Sequence, residues 1–529
     1  MGIYLNPGNR GFQTILNGIY VDKTGLIDYV SQTINTPQKL TSFSRPRRFG
    51  KSFAAKMLCA YYDKSCDSRF LFEGLEISEK DSFEKYLNEY DVIYLDITWF
   101  VSTTDDIKNV VNDIQSSVIS ELKNEFMGFV PENEKSLPRV MTAVASKTAR
   151  RFIVIIDEWD ALFREAKNDE AIQKEYVQLL RGLFKGGTAT DETIAAAYMT
   201  GILPIKKYGT ESALTDFQEF SMVDPLGLSE YIGFTEREVL QLCKRYAVCF
   251  DDVKQWYDGY KFEEFDSVYN PNSVIKAVRY KRIRNYWTQT ETYESLKNYI
   301  SMNFDGLKDS VLSMLGGEQA KVAISTFQND ITSFKNKDDV LTLLIHLGYL
   351  GYDSKARKTF IPNQEVVDAF ADAVKGDEWK EIGDLIRDSE DLLEATIRRD
   401  ADAVADALER VHNLNSSVLQ YNNEAALSSA IMIAYYTARR IYKIVPEFPQ
   451  GKGFADLAFL PRRGSDKPVM IVELKYEKDA DTAIRQIHEN RYEGDLKKYF
   501  GDLLLVGINY DKNAKGANAK KHSCVIEKV

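Results

Sequence analysis

The sequence predicts an α/β multidomain chain, on three observations. A Gly50-Lys51-Ser52 step opens an apolar helix. An apolar run from Phe152 to Ile156 ends on Asp157-Glu158. Two apolar runs near the C-terminus, 454–460 and 468–475, bear Asp456, Glu473 and Lys475. Each puts polar side chains where a helix begins or along a buried strand, which is where α/β proteins keep their chemistry.

With 529 residues, 44% hydrophobic and 12% aromatic, the chain can bury several cores and divide into about three or four domains. Its net charge of −11 argues against a general polyanion-binding surface, so contact with nucleic acid has to come from a local basic patch. Cys59, Cys66, Cys243, Cys249 and Cys524 form no Cys-x-x-Cys pair and no zinc spacing, which fits reduced thiols. His346, His412, His488 and His522 are scattered without ligand spacing. No basic leader followed by an apolar stretch occurs, and no run of about 18 apolar residues. The expectation is a cytoplasmic protein that engages no membrane. No internal repeat or low-complexity tract breaks the pattern.

The first module is built around "SRPRRFGKSF", residues 44 to 53. Phe53, Met57, Leu58 and Tyr61 recur at helical spacing after it, so the loop sits at a helix N-terminus, where backbone N–H groups favour phosphate. In the common Gly-x-x-x-x-Gly-Lys-Ser pattern the lysine, here Lys51, bridges the outer phosphates and the hydroxyl of Ser52 ligates magnesium. The first glycine of that pattern is replaced by Arg45, and Arg45-Pro46 cannot copy a glycine turn of positive φ. Alone, the broken pattern also fits a basic loop that merely caps a helix.

A second element decides for nucleotide. "RRFIVIIDEWDALF" reads as a buried parallel strand ending in acids. Asp157 there would hold a magnesium-bound water, and Glu158 would polarise the water attacking the γ-phosphate. Runs 91–98 and 195–202 supply two more strands, the latter ending near Thr200, a polar residue placed to sense the γ-phosphate.

Between the modules, the aromatics of "WYDGYKFEEFDSVYNPNSV" (256–274) could stack bases, but Trp256, Tyr257 and Tyr260 keep helix-like spacing that suits the core of a small helical lid. The segment from Asp338 to Phe370 reads helix, strand, turn, strand, helix, with Lys355, Arg357 and Lys358 at the hairpin tip. That order resembles a winged-helix fragment, whose basic tip could enter a groove; a solvated turn is the plainer use.

In the C-terminal module, the runs 454–460 and 468–475 flank a Pro-Gly-Asp turn and read as an antiparallel hairpin. If Leu460 opposes Pro468, Asp456 faces Val472 beside Glu473; a shift of one residue would pair the two acids. Glu473 and Lys475, two apart, project from one face. Paired carboxylates suit Mg²⁺ or Mn²⁺, and an adjacent lysine can position the attacking water. A polar helix near 479–499 and the apolar run 502–510 then make a βαβ crossover, giving a mixed sheet. Upstream, Glu424 lies in the first turn of an apolar helix, where it either caps the helix or joins the metal site.

"YVDKTGLIDYV", "SRPRRFGKSF", "IDEWDALF", "TGILPI", "GFTEREV", "WYDGYKF…VYNPNSV" and "YWTQT" together resemble the bacterial AAA-ATPase-like family whose members carry a C-terminal PD-(D/E)XK nuclease domain. The resemblance runs from about residue 3 to residue 510. It implies that the Arg-Pro-Arg-Arg-Phe-Gly-Lys-Ser loop is a family variant, assigning nucleotide contact to Arg45, Pro46, Arg47, Arg48, Phe49, Gly50, Lys51 and Ser52. It implies Walker B roles for Asp157, on the magnesium side, and Glu158, on the catalytic side, and a sensor position at Thr200. It matches Asp456 to the first nuclease acid, Glu473-Leu474-Lys475 to the (D/E)XK step, Gln486 and Tyr492 to a polar pair on the following helix, and Glu424 to the helical glutamate. The proline of the first step is absent, since Ala455 precedes Asp456.

The expected organisation is an AAA-like P-loop ATPase core (1–215), a helical lid (216–290), a helical and winged-helix-like connector (291–415) and a mixed-sheet PD-(D/E)XK nuclease-like domain (416–529). The expected cofactors are ATP and Mg²⁺ or Mn²⁺, and the expected partner is nucleic acid, DNA first. The expected function is ATP-gated phosphodiester cleavage, which would suit defence against foreign DNA. The alternative is an ATP-driven switch whose C-terminal domain binds nucleic acid or protein without cutting. A translocating motor would require a homo-oligomer and an arginine from a neighbour, with Arg45, Arg47, Arg48 and Arg181 as candidates.

Overall fold

The computed structural model describes residues 2–205, 207–208, 211–212, 214, 216–287, 293–302, 304–328, 334–374, 379–412, 424–450, 453–462, 465–490, 502–514 and 520–529. The chain forms two compact units, one made of Met1–Trp287 with Val322–Glu365, the other of Thr288–Lys321 with Val366–Val529.

The first unit is organised by a parallel sheet of β1 (Leu40–Ser44), β2 (Asp91–Asp96), β3 (Phe152–Asp157), β4 (Ile194–Gly201) and β5 (Gln218–Phe220), in the order β2-β3-β4-β1-β5. β1, β3 and β4 are buried at every position, as strands of a parallel sheet covered on both faces are; β1 buries Thr41, Ser42 and Ser44 with its two apolar residues. Helix α1 (Lys51–Tyr62) leaves the loop after β1. The run 91–98 is strand only to Asp96, whose carboxylate accepts the Trp99 N–H and starts a helix at Ile97; capping chemistry overrides the apolar run there. Helix α2 (Ala161–Glu165) follows β3.

The aromatic segment breaks the spacing read from sequence. Tyr257 ends α3 (Phe250–Tyr257), and Tyr260 lies beyond Gly259 at φ +124°, outside any helix. Tyr257, Tyr260 and Tyr269 are nonetheless fully buried, so they pack as core. Helix α4 (Pro271–Tyr280) completes this part. Then come α5 (Lys337–Leu347), capped by Asn336 and terminated by Gly348 at φ +84°, and the antiparallel pair β6 (Gly351–Asp353) and β7 (Lys358–Phe360). A helix at Gln364–Ala373 completes the expected order.

The second unit holds a mixed sheet of β8 (Tyr442–Gln450), β9 (Gly453–Pro461), β10 (Val469–Tyr476), β11 (Leu503–Tyr510) and β12 (His522–Lys528), adjacent in that order. Only β10 and β11 pair parallel, as the crossover predicts. Helix α6 (Glu424–Ala434) precedes the sheet, and α7 (Ala480–Asn490) crosses between β10 and β11, packing Ile484 and Ile487 on Ala458, Ile471 and Leu505. The edge strand β12, antiparallel to β11, was not anticipated from sequence.

The hairpin register differs by one from the pairing read from Leu460 and Pro468. Leu457 faces Val472, Ala458 faces Ile471 and Phe459 faces Met470. This shift aligns Asp456 with Glu473, because apolar partners on both strands meet across the core and a proline cannot donate to the ladder.

Candidate nucleotide and metal sites

Between β1 and α1 the loop turns through left-handed residues at Arg48 (φ +69°) and Gly50 (φ +96°). Gly50 is the residue before the first helical one, so the free N–H groups of α1 face the loop. Lys51 is buried; its ammonium donates to the Arg45 and Pro46 carbonyls, both at 3.1 Å, and pairs with Glu158 at 3.2 Å. Arg47 and Arg48 are exposed. Arg45 is fully buried with its guanidinium bonded to the Ser44 and Phe220 carbonyls, so it is not available to a neighbouring subunit.

At the end of β3, Asp157 accepts hydrogen bonds from the hydroxyls of Thr200 (2.5 Å) and Ser52 and more distantly from Tyr94 (3.5 Å). Burial pushes its carboxyl above the usual value. A hydroxyl and a carboxylate in contact at a helix N-terminus are the donor set that magnesium takes beside a nucleotide. Replacing Thr200 with valine strips one donor from a buried acid; the expected loss is about 1–3 kcal/mol, read by urea denaturation.

Glu158 sits in the left-handed region at φ +54°, an uncommon and strained backbone for a side chain of this size. One of its carboxylate oxygens pairs with Lys51 and the other accepts from Arg164 of α2 at 2.8 Å. Burial pushes its carboxyl up, but Lys51 and Arg164 together hold it below the ordinary value. Arg164 in turn is braced by Asp160, which is buried and accepts the Ile202 and Leu203 N–H groups. The sequence reading missed Arg164; the Asp160 to Arg164 spacing of four on a helix was the available signal.

In the second unit, the Asp456 carboxylate accepts the Leu474 N–H at 2.7 Å, and Glu473 accepts the Asp456 N–H. Glu473 is buried; one oxygen accepts from Lys475 at 3.0 Å and from Gln486 of α7, while the other, Oε2, has no hydrogen-bond partner. Burial, then the neighbouring Asp456 charge, pushes its carboxyl up to about 7. Lys475 also donates to the Leu474 carbonyl at 2.9 Å. Asn509, paired with Lys475 across the parallel ladder, holds the strand-to-helix turn through both the N–H and the carbonyl of Lys478.

Asp456, Glu473, Lys475 and Gln486 are thus brought together. Glu424 opens α6, but its side chain, like Tyr492 as a whole, lies outside the described residues. Among the described residues no group of three or more His, Cys, Asp or Glu is placed to hold a metal ion; the donor set is two carboxylates. An orphaned, buried carboxylate oxygen beside a second acid is what a hard divalent cation fits.

Family models match at both places: "Predicted AAA-ATPase" over residues 8–210 and "PD-(D/E)XK nuclease superfamily" over residues 422–518. The chain joins an AAA-ATPase-like domain to a PD-(D/E)XK nuclease superfamily domain. The AAA-ATPase-like match contains the loop, Asp157, Glu158 and Thr200, and the PD-(D/E)XK match contains Asp456, Glu473, Lys475 and Gln486. A curated relative from Azotobacter chroococcum mcd 1, an uncharacterized protein in the vnfD 5′ region, is 23% identical over 276 residues, covering 52% of this chain; the chain spans about half (51%) of that protein. Among solved structures, the Aeropyrum pernix ORC2 protein in its ADPNP-ADP complexes is 12% identical with a TM-score of 0.24, covering 67% of this chain and 95% of its own. C. elegans PCH-2 is 12% identical with a TM-score of 0.20, covering 68% and 72% respectively. No described helix is long and apolar enough to cross a membrane.

Proposed function

We propose that this protein is an ATP-controlled, metal-dependent nuclease acting on nucleic acid. The observation that carries the reading is the C-terminal constellation: a buried carboxylate with an orphaned oxygen, a second carboxylate interlocked with it through backbone N–H groups, and a buried lysine at 3.0 Å. Charge supports the substrate class. Residues 424–529 hold 18 Lys and Arg against 14 Asp and Glu, a net of +4, in a chain of net −11; a locally basic domain suits a polyanion.

Asp456 and Glu473 would hold the divalent cation, which when bound supplies Lewis-acid polarisation of a phosphodiester and a more acidic water. The Asp456 carboxylate keeps its aim because the Leu474 N–H fixes it. Gln486 and Lys475 share one oxygen of Glu473 and leave the other to face the site. Lys475 is anchored to the Leu474 carbonyl, so its ammonium can orient an attacking water and stabilise charge on the phosphate. Removing the Gln486 amide frees the Glu473 rotamer; Gln486→Leu should weaken Mn²⁺ affinity about tenfold, measured by calorimetry.

In the first unit, Lys51 and the α1 N–H groups would bind the phosphates, and Ser52 and Asp157 would hold Mg²⁺. Both Glu158 oxygens are engaged by cations, so the glutamate can polarise water only after Lys51 or Arg164 lets go. Phosphate oxygens compete for Lys51, which makes nucleotide its own trigger. The test incubates purified protein with plasmid, linear duplex, single-stranded DNA and RNA in Mg²⁺ or Mn²⁺. Metal-dependent products that disappear in chelator support the reading; retained binding without product in every arm overturns it in favour of a binding switch.

A further inference from the structure

Of the five large residues that make this loop unlike a glycine-rich one, Arg45, Pro46 and Phe49 are buried in contacts with distant parts of the same unit, while Arg47 and Arg48 are exposed. Arg45 is fully buried, its guanidinium lying 5.0 Å from the Phe262 ring, with two of its nitrogens lacking any hydrogen-bond partner. Such a desolvated cation is costly to bury. It is close enough to the buried His346 of α5 to help burial hold that imidazole down to about 3. Pro46 abuts Gly348: a Cβ there would come within 2.7 Å of the proline ring, so the close approach needs the glycine at the end of α5. Phe49 is buried edge-on against Tyr260 at 5.1 Å, and the Tyr260 hydroxyl donates to the Gly348 carbonyl at 2.7 Å. Gly259, next to it, lets the backbone run directly against the Pro362 carbonyl after the hairpin. One chain of packed contacts therefore links loop residues 45–49 to residues 257–262, and these to 346–362.

The loop also has a reason to move. Lys51 is now satisfied by the Arg45 and Pro46 carbonyls, and phosphate oxygens are stronger acceptors for an ammonium than neutral carbonyls. Drawing Lys51 off frees those two peptide groups to turn, and their side chains are the ones gripped from behind. Packed contacts of this kind switch between discrete arrangements and do not deform smoothly.

We propose that Arg45, Pro46 and Phe49 are positioning residues that transmit nucleotide occupancy through Tyr260 and Gly348 to the α5–β6–β7 segment. This rests on the loop being a nucleotide site. The segment ends in a tip whose Lys355 and Arg357 are exposed, so what is moved is a basic hairpin.

The test is hydrogen–deuterium exchange of the full chain with and without Mg²⁺-ATP, in wild type, Tyr260→Phe and Arg45→Lys, with nucleotide affinity measured in parallel. Tyr260→Phe keeps the ring against Phe49 and removes only the bond to Gly348. In wild type, ATP should change exchange across residues 344–351 by about fivefold, the scale of one hydrogen bond. In Tyr260→Phe, affinity should stay within about twofold while that response falls by half or more, since the hydroxyl lies outside the phosphate site. Arg45→Lys, which keeps charge without the planar fork, should also weaken the response. An unchanged response in both variants overturns the coupling, as does a wild type that binds ATP without any response at 344–351. A wild type that binds no nucleotide overturns the nucleotide reading itself.

Discussion

Glu473→Ala should lower the proposed metal-dependent cleavage about 10³-fold while nucleotide binding is retained. The size follows from losing several kcal/mol of charge stabilisation when one of two carboxylates is removed. Burial and the neighbouring Asp456 also displace the titration of Glu473 into the working range, to about 7. Metal takes the ionised form, so affinity for Mn²⁺ and the cleavage rate should both rise as pH passes through about 7. The metal-free protein should respond in the opposite sense. The folded-state value lies above the unfolded one of 4.5, so the folded state binds more protons between them, and stability falls as pH rises through that window. Thermal melts of metal-free protein between pH 4.5 and 7 should show that decline, and Mn²⁺ should reverse it above pH 7. Glu473→Gln removes both trends, since an amide neither titrates nor pays for burial of a charge.

Lys51→Ala is the second large effect. Its ammonium touches three acceptors in a buried setting, and charge-assisted bonds there are worth about 1.5–3 kcal/mol each. Loss of the phosphate contact should weaken ATP affinity at least about 10²-fold. In wild type, ATP at a hundred times its Kd stabilises the fold by about 2.7 kcal/mol; in Lys51→Ala at the same concentration most of that shift vanishes. The substitution also frees one oxygen of Glu158, leaving it with Arg164 alone, but with the phosphate ligand gone residual hydrolysis should not exceed the wild-type rate.

Much of this arrangement was legible in the sequence because it depends on local signals. The strand into Asp157, the glycine at 50 before α1, and the alternation of Glu473 with Lys475 are set by periodicity and backbone preference, and they fall where read. What failed depended on tertiary contacts. The turn leaves two hairpin registers open, and the one adopted sets Ala458 opposite Ile471, both packed against Ile484 and Ile487 of α7. The edge strand β12 carries His522, Ser523, Glu527 and Lys528, too polar to read as a strand until β11 offers it an edge. Arg45 reads from sequence only as part of the nucleotide loop; its full burial beside the Phe262 ring is a tertiary contact that no local signal announces.

In the proposed function, nucleotide at Lys51 controls cutting at Glu473. Its most direct test measures the rate of DNA cleavage in Mg²⁺ with and without ATP, in wild type, Lys51→Ala and Glu473→Ala. The expected result is a wild-type rate that changes with ATP, a Lys51→Ala rate that does not, and about 10³-fold less cutting in Glu473→Ala. Equal cleavage in all three proteins, or the same response to ATP in wild type and Lys51→Ala, would contradict it.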